Sequence, residues 1–271
     1  MIEQVVIRDR RAPRKWVWLH GMFGGVDDVL PLAEFLPHQD DVEAWVFPGH
    51  GRPRSIPGFA VVVGELTRLL NEEIAEVMLV GYSMGGRFAL ATATKKNSSL
   101  VGTVVLSAAA GIASEKDRLH RAFWDEQWAS RLEHQPGDVV HREWLEQALF
   151  STLNKTTKWE LLQRRKTLES ISVASAMRRF GQGMQPPLHN RLGEIGRPVY
   201  LVSGTLDKKY ADAQKEVGAL ISSAELGFVQ GAGHAVHLEE PAALGALLSE
   251  FSERCFSHVS LQKPFISRVS S

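Results

Sequence analysis

The sequence predicts an α/β protein: a mostly parallel sheet flanked by helices on both faces, interrupted once by a helical insertion. Three observations predict it. Short apolar runs without polar alternation recur along the chain, as strands buried on both faces require. They alternate with segments of helical spacing in the first and last parts of the chain, the pattern of parallel strands joined by crossover helices. Between about Ile112 and Pro187 the strand signal stops, and a stretch rich in Arg, Glu, Gln and Trp reads as several helices.

The elements follow in order. Val5 to Ile7 is a short apolar run, an edge strand. Arg8 to Lys15 is charged and turns at Pro13. Trp16-Val17-Trp18-Leu19 is a compact strand ending at His20-Gly21-Met22-Phe23-Gly24-Gly25. Asp27 or Asp28 caps a helix through Phe35. Val42 to Phe47 is the next strand, closing on Pro48-Gly49-His50-Gly51. Pro57 to Glu73 has helical spacing, with Leu66, Leu69, Leu70 and Ile74 on one side. Met78 to Tyr82 is a strand, Met84 to Thr94 a helix, and Leu100 to Leu106 a further strand. The insertion breaks near Pro136-Gly137 and Asn154, carries a candidate apolar stripe at Leu161, Leu162 and Leu168, and ends at Gly181-Gln182-Gly183 and Pro186-Pro187. Pro198 to Gly204 is a strand, Tyr210 to Ile221 a helix, Ala224 to Val229 the last strand, and Pro241 to Phe256 a final helix with Pro at its first turn. Residues 257–271 are polar and aperiodic, a frayed tail. The expected organisation is a core in two parts, 1–111 and 188–256, with a helical cap at 112–187.

Composition narrows the function. The chain has 271 residues, is 44% hydrophobic, and carries formal charge zero, so no global field favours nucleic acid or membrane. Its one cysteine, Cys255, excludes an intrachain disulfide framework and fits a reducing compartment; its ordinary role is a small apolar residue of the last helix. The N-terminus lacks a basic region followed by a long apolar run, and no stretch approaches the roughly 18 apolar residues of a spanning helix. The chain reads as cytoplasmic. No glycine-rich phosphate fingerprint is present, His234 and His237 with Glu239 and Glu240 only imitate a metal pair, and no cofactor is expected.

One stretch carries chemistry. Met78-Leu79-Val80-Gly81-Tyr82-Ser83-Met84-Gly85-Gly86-Arg87 runs a strand into G-x-S-x-G and then into a helix. This is the nucleophile-elbow pattern, in which a sharp turn exposes the serine hydroxyl and flanking glycines avoid collision with strand and helix. Ser83 needs a base, and the base needs an orienting carboxylate. In open parallel sheets, sites form beyond the carboxyl ends of strands. Two loops there qualify: Thr205-Leu206-Asp207, and Gly231-Ala232-Gly233-His234. The order Ser83, Asp207, His234 is that of the α/β-hydrolases. His237 is the rival base; His234 is preferred because it directly follows the loop glycines. The backbone N–H groups of Met22 and Met84 are the candidate oxyanion donors. His20 and His50 read as loop-packing residues.

These residues resemble the α/β-hydrolase fold over the whole core. Further motifs narrow the resemblance. They are Tyr82 before the serine and Arg87 four residues after it; Arg121, Trp128, Trp144, Phe150-Ser151-Thr152-Leu153-Asn154 and Arg165 in the insertion; and the segments from Gly204 to Tyr210 and from Ala232 to Pro241. Over roughly residues 16–250 the chain resembles the 2-succinyl-6-hydroxy-2,4-cyclohexadiene-1-carboxylate synthases of menaquinone biosynthesis. The resemblance implies a lyase that eliminates pyruvate from 2-succinyl-5-enolpyruvyl-6-hydroxy-3-cyclohexene-1-carboxylate, a tricarboxylate. Ser83 would take a ring proton and pass its own to His234, with Asp207 holding the imidazole. Arg87, Arg121 and Arg165 stand where the family places its substrate arginines, and guanidinium groups suit carboxylates. Arg164 and Arg165 lie about 100° apart on a helix, so one of them faces inward. Tyr82, Trp144 and Phe150 match pocket positions, where packing is an equal alternative. The chain departs from the family at Ser107-Ala108-Ala109-Ala110-Gly111, where a more glycine-rich turn is expected, at Met22, and in its longer tail. The competing function is a carboxylesterase or thioesterase using the same triad through an acyl-enzyme, and a third class is a non-catalytic binding protein that kept the fold.

Overall fold

Seven strands form one sheet in the order β1-β3-β2-β4-β5-β6-β7. They are β1 (Glu3–Arg8), β2 (Arg14–Leu19), β3 (Asp41–Val46), β4 (Glu76–Tyr82), β5 (Leu100–Leu106), β6 (Val199–Gly204) and β7 (Ala224–Val229). Among the described residues only β1 runs antiparallel, against β3; every other pair is parallel. This computed structural model describes residues 1–51 and 55–262, with side chains as far as Phe256.

Successive residues of the central strands feed two separate cores. Trp16, Trp18, Met78, Val80, Val104 and Leu106 face one side, where Leu244, Leu248 and Phe251 cover them. Val17, Leu19, Val77, Leu79 and Val105 face the other, beneath Leu66, Leu70 and Phe88. Burial on both faces is why these strands show no polar alternation in the sequence.

The helices are α1 (Leu30–Ala33), α2 (Phe59–Glu72), α3 (Met84–Ala93), α4 (Glu115–His134), α5 (Gly137–Leu145), α6 (Lys155–Arg165), α7 (Ser170–Phe180), α8 (Lys208–Gly218), α9 (Val236–Glu239) and α10 (Pro241–Gln262). Helices α4 to α7 lie between β5 and β6 and form an inserted cap. Its breaks have local causes. Pro136 stands at the N-terminus of α5, and the Asn154 side chain caps α6 by accepting the Thr157 N–H at 2.8 Å. Leu161 is buried and Leu162 and Leu168 pack partly buried against the same core.

Three local expectations change. The helix expected from Asp27 or Asp28 through Phe35 is instead a 3-10 turn (Val26–Asp28) followed by the single turn of α1, with Pro31 in its first positions. Ile74, placed by periodicity on the apolar side of α2, lies beyond the helix end and is fully exposed. The last helix does not stop at Phe256 but continues to Gln262; the rest of the expected tail, 263–271, lies outside the described residues. Cys255 is buried, and burial raises its thiol to about 12. Among the described residues no helix is long and apolar enough to cross a membrane.

Candidate functional site

The site forms where β4 turns into α3. Ser83 sits in the turn with φ 50° and ψ −107°, a strained backbone for a residue with a Cβ. Gly85 makes the turn possible: a Cβ there would lie 2.1 Å from the Leu19 carbonyl oxygen. That close approach lets the Gly85 N–H donate to the His20 carbonyl at 3.1 Å, locking the β2 loop to the elbow.

The loops after β6 and β7 deliver the partners. A Cβ on Gly204 would lie 2.1 Å from the Ala232 carbonyl, so the two loops run side by side. The Leu206 N–H donates to that carbonyl at 2.9 Å, and the Gly231 N–H donates to Thr205 Oγ1 at 3.0 Å. The result is a hydrogen-bonded chain. His234 Nδ1 lies 2.7 Å from Asp207 Oδ2, and His234 Nε2 lies 3.2 Å from Ser83 Oγ. With the carboxylate on Nδ1, that nitrogen carries the proton and Nε2 is left to accept from the serine hydroxyl. Glu239 braces the imidazole loop, accepting the Gly233 N–H at 2.9 Å and the Ala235 N–H at 3.0 Å.

The rival His237 is fully buried, packed between the tilted rings of Trp18 and Tyr82 at 5.0 and 4.3 Å, with neither ring nitrogen hydrogen-bonded. Burial drives it down to about 3, so it is neutral at working pH. His20 is also neutral, lowered to about 4 by burial; its Nδ1 contacts the Gly21 carbonyl and its Nε2 accepts the Phe47 N–H. His50 is buried against it, ring centroids 4.9 Å apart. Both shape the loops, as their sequence context suggests.

A cavity of about 680 Å³ lies between this chain and the cap, and all eleven residues singled out from the sequence line it: Ser83, Asp207, His234, Met22, Met84, Arg87, Arg121, Arg165, Tyr82, Trp144 and Phe150. Among the described residues neither the Met22 nor the Met84 N–H donates to a backbone acceptor. Phe150 packs edge-on to His234 at 5.8 Å, and Trp144 packs on Phe23 at 4.9 Å.

The three arginines differ in what occupies them. Arg87 is buried; its Nη1 donates to Gln185 Oε1 at 2.8 Å and its Nη2 to the Phe180 carbonyl at 2.6 Å, tying α3 to the end of α7. Arg121 donates from Nε to Asp125 Oδ1 at 2.9 Å and from Nη1 to Gln182 Oε1 at 2.8 Å. Arg165 is 6% exposed, lies 5.2 Å over the Phe23 ring, and has no partner on Nε or Nη1. Burial lowers Arg87 and Arg165 only to about 10, so both remain cations at neutral pH. Arg165 is thus the inward member of its pair, while Arg164 turns out and donates to the Asp27 carbonyl at 3.1 Å.

Asp28 lines the cavity and has no signal in the sequence beyond helix capping. Its Oδ2 accepts the Gly25 N–H at 3.2 Å. Burial raises the carboxyl from 3.8 to about 6, against the pull of Arg165, the Gly25 N–H and Arg164. Across that window the folded protein holds a proton that the unfolded chain has released, so stability falls as pH rises from 3.8 to about 6. Asp28→Asn keeps an acceptor for Gly25 but cannot ionise. Its melting temperature is expected to match wild type near pH 4 and to exceed it above pH 6, by roughly 1–3 kcal/mol of stability. Thermal denaturation across that range checks it; a lower melting temperature at pH 8 would make the Asp28 charge net stabilising.

Comparison with known proteins agrees with this fold. Residues 16–247 match the family model described as "Alpha/beta hydrolase family". The chain is 31% identical over 231 residues to 2-succinyl-6-hydroxy-2,4-cyclohexadiene-1-carboxylate synthase of Salmonella paratyphi A, covering 84% of this chain and 89% of the relative. It is 32% identical over 240 residues to the Pectobacterium atrosepticum enzyme of the same name, covering 87% and 92%. The chain belongs to the 2-succinyl-6-hydroxy-2,4-cyclohexadiene-1-carboxylate synthase family of α/β-hydrolases. Among solved structures, MenH from S. aureus superposes with a TM-score of 0.85 at 24% identity, over 93% of this chain and 98% of that one, which establishes the shared fold.

Proposed function

We propose that this protein is a carbon–oxygen lyase that eliminates pyruvate from 2-succinyl-5-enolpyruvyl-6-hydroxy-3-cyclohexene-1-carboxylate, giving 2-succinyl-6-hydroxy-2,4-cyclohexadiene-1-carboxylate. The observation that carries the reading is the conjunction of the hydrogen-bonded chain Ser83–His234–Asp207 with the buried Arg165 guanidinium, whose Nε and Nη1 have no hydrogen-bond partner, on the wall of the same cavity.

The bond changes follow from the two names. The substrate has its double bond between C3 and C4 and its leaving group on C5; the product is a 2,4-diene. The proton lost is therefore that on C2, acidified by the succinyl ketone. Ser83 Oγ takes it while giving its own proton to His234 Nε2, and Asp207 stabilises the imidazolium. Negative charge moves onto the ketone oxygen, which the Met22 and Met84 N–H groups are suited to stabilise. Collapse forms the C2–C3 and C4–C5 double bonds and breaks the C5–O bond. The departing enolate takes a proton on carbon and becomes pyruvate. No acyl-enzyme is required.

Arg165, Arg87 and Arg121 serve the substrate carboxylates in this proposal, with Arg165 the most available donor. Tyr82, Trp144 and Phe150 shape the apolar walls around the ring. The substrate class is a tricarboxylate, and the reaction is assigned to the cytoplasm, supported by a single, buried cysteine. The test is direct: purified protein is offered the enolpyruvyl substrate, made in a coupled assay, beside a panel of simple esters and thioesters. Rapid pyruvate release with slow ester turnover is expected. Fast ester turnover without pyruvate release would make the protein a hydrolase.

A further inference from the structure

We infer that Lys208 and Lys209 form a rim subsite that receives one carboxylate of the anionic substrate. The inference rests on the tricarboxylate reading above. It begins with the N–H donors left for carboxylates. Arg121 gives its Nε to the Asp125 carboxylate, Arg87 keeps its charge but gives both terminal nitrogens to the neutral acceptors Gln185 and Phe180, and Arg165, with no partner on Nε or Nη1, shares its charge with the buried Asp28 carboxyl. Few directional donors therefore remain for three carboxylates.

Lys208 and Lys209 line the same cavity from the first turn of α8, directly after Asp207. That position breaks a local rule. The N-terminus of a helix carries partial positive charge and favours acidic residues; two cations there cost helix stability. Within the first turn of α8 there is no acidic residue, the Asp207 carboxylate at its N-cap is held by His234, and neither lysine forms an ion pair with a described residue. Nor do they add to the core, since both are exposed. A pattern that costs helix stability, with only the ring contact of Lys209 on Tyr210 to set against it, fits a functional role. Lys209 is also coupled to the reacting groups: its Nζ lies 5.4 Å from the Tyr210 ring centroid, and that ring lies 4.7 Å from the His234 imidazole. The rim charges can therefore act at long range on an approaching anion and at short range on a bound carboxylate, and both effects weaken with salt.

The test compares wild type with Lys208→Ala/Lys209→Ala and Lys208→Arg/Lys209→Arg. For the alanine pair, KM for the enolpyruvyl substrate is expected to rise about tenfold with kcat within about twofold, and kcat/KM is expected to lose much of its dependence on ionic strength. The arginine pair should recover most of the KM. A second readout does not need turnover: quenching of the cavity tryptophans Trp124 and Trp144 by benzene-1,3,5-tricarboxylate. Its affinity should fall in the alanine pair, with benzoate little affected. Unchanged KM and salt dependence in the alanine pair overturn the subsite. So does a fall in kcat alone, which would mark the lysines as supports of the Asp207 loop. If wild type releases no pyruvate yet binds the tricarboxylate through these lysines, the elimination fails and the subsite stands.

Discussion

Ser83→Ala is expected to lower kcat for pyruvate release by about 10²- to 10⁴-fold with little change in KM. The effect falls on kcat because the hydroxyl is assigned to proton abstraction, and the arginines and aromatic walls that bind substrate are untouched. His234→Ala should cost a similar factor. The double variant should be little worse than either single one, because serine and imidazole, 3.2 Å apart, move one proton as a unit. Asp207→Asn keeps the shape of the orienting contact, 2.7 Å in the native protein, yet favours the tautomer that places the imidazole proton toward Ser83. It should therefore lose activity while folding normally. Steady-state kinetics on the four variants, with circular dichroism as the control for folding, check the set. Additive losses in the double variant would mean that Ser83 and His234 act in separate steps.

The second large effect is at Arg165. Arg165→Met keeps an apolar stem against Phe23, which the guanidinium overlies at 5.2 Å, and removes the charge. Loss of a charge-assisted contact costs roughly 1.5–3 kcal/mol, so kcat/KM should fall by about 10- to 10²-fold. Stability should respond differently. The native guanidinium is buried with Nε and Nη1 unpartnered, a costly state that methionine relieves, and the buried Asp28 carboxyl, no longer pulled down by that charge, holds its proton more tightly instead of standing as an unpaired anion. The melting temperature is therefore expected to stay within a few degrees of wild type. Arg121→Met should show a different balance, since it leaves Asp125 buried without its partner at 2.9 Å. Kinetics and thermal denaturation on both variants check this. A large loss of stability with unchanged kcat/KM in Arg165→Met would make Arg165 a structural residue.

These two sites show what a sequence can and cannot carry. The strands are legible because burial on both faces writes itself as unbroken apolar runs: Trp16 to Leu19 divides evenly between the two cores, and no polar residue interrupts it. Ser83 is legible because the turn tolerates only glycine at a position 2.1 Å from a neighbouring carbonyl. His234 is legible because chain order and adjacent glycines select it over His237, which lies three residues away but is walled between Trp18 and Tyr82. Membership of the cavity is legible for the three arginines; their availability is not. Whether a guanidinium is free depends on Gln185, Gln182, Asp125 and Phe180, all distant in sequence or ambiguous in role.

Asp28 escaped for the opposite reason. Its sequence signal, a short polar residue near a helix start, is satisfied by the Gly25 N–H and hides the cavity-facing burial that raises its carboxyl to about 6. Glu239 looked like part of a metal imitation and instead holds the backbone on either side of the catalytic imidazole. Periodicity misplaced Ile74 because it carries no information about where a helix stops, and α2 ends at Glu72.

The central claim is that Ser83 works as a base and not as an acyl acceptor. Single-turnover release of pyruvate from substrate deuterated at C2, followed together with the intact mass of the protein, tests it most directly. The expected result is a primary isotope effect on the release step with no mass increase on Ser83. A release rate indifferent to deuterium, accompanied by a substrate-derived adduct on Ser83, would contradict it.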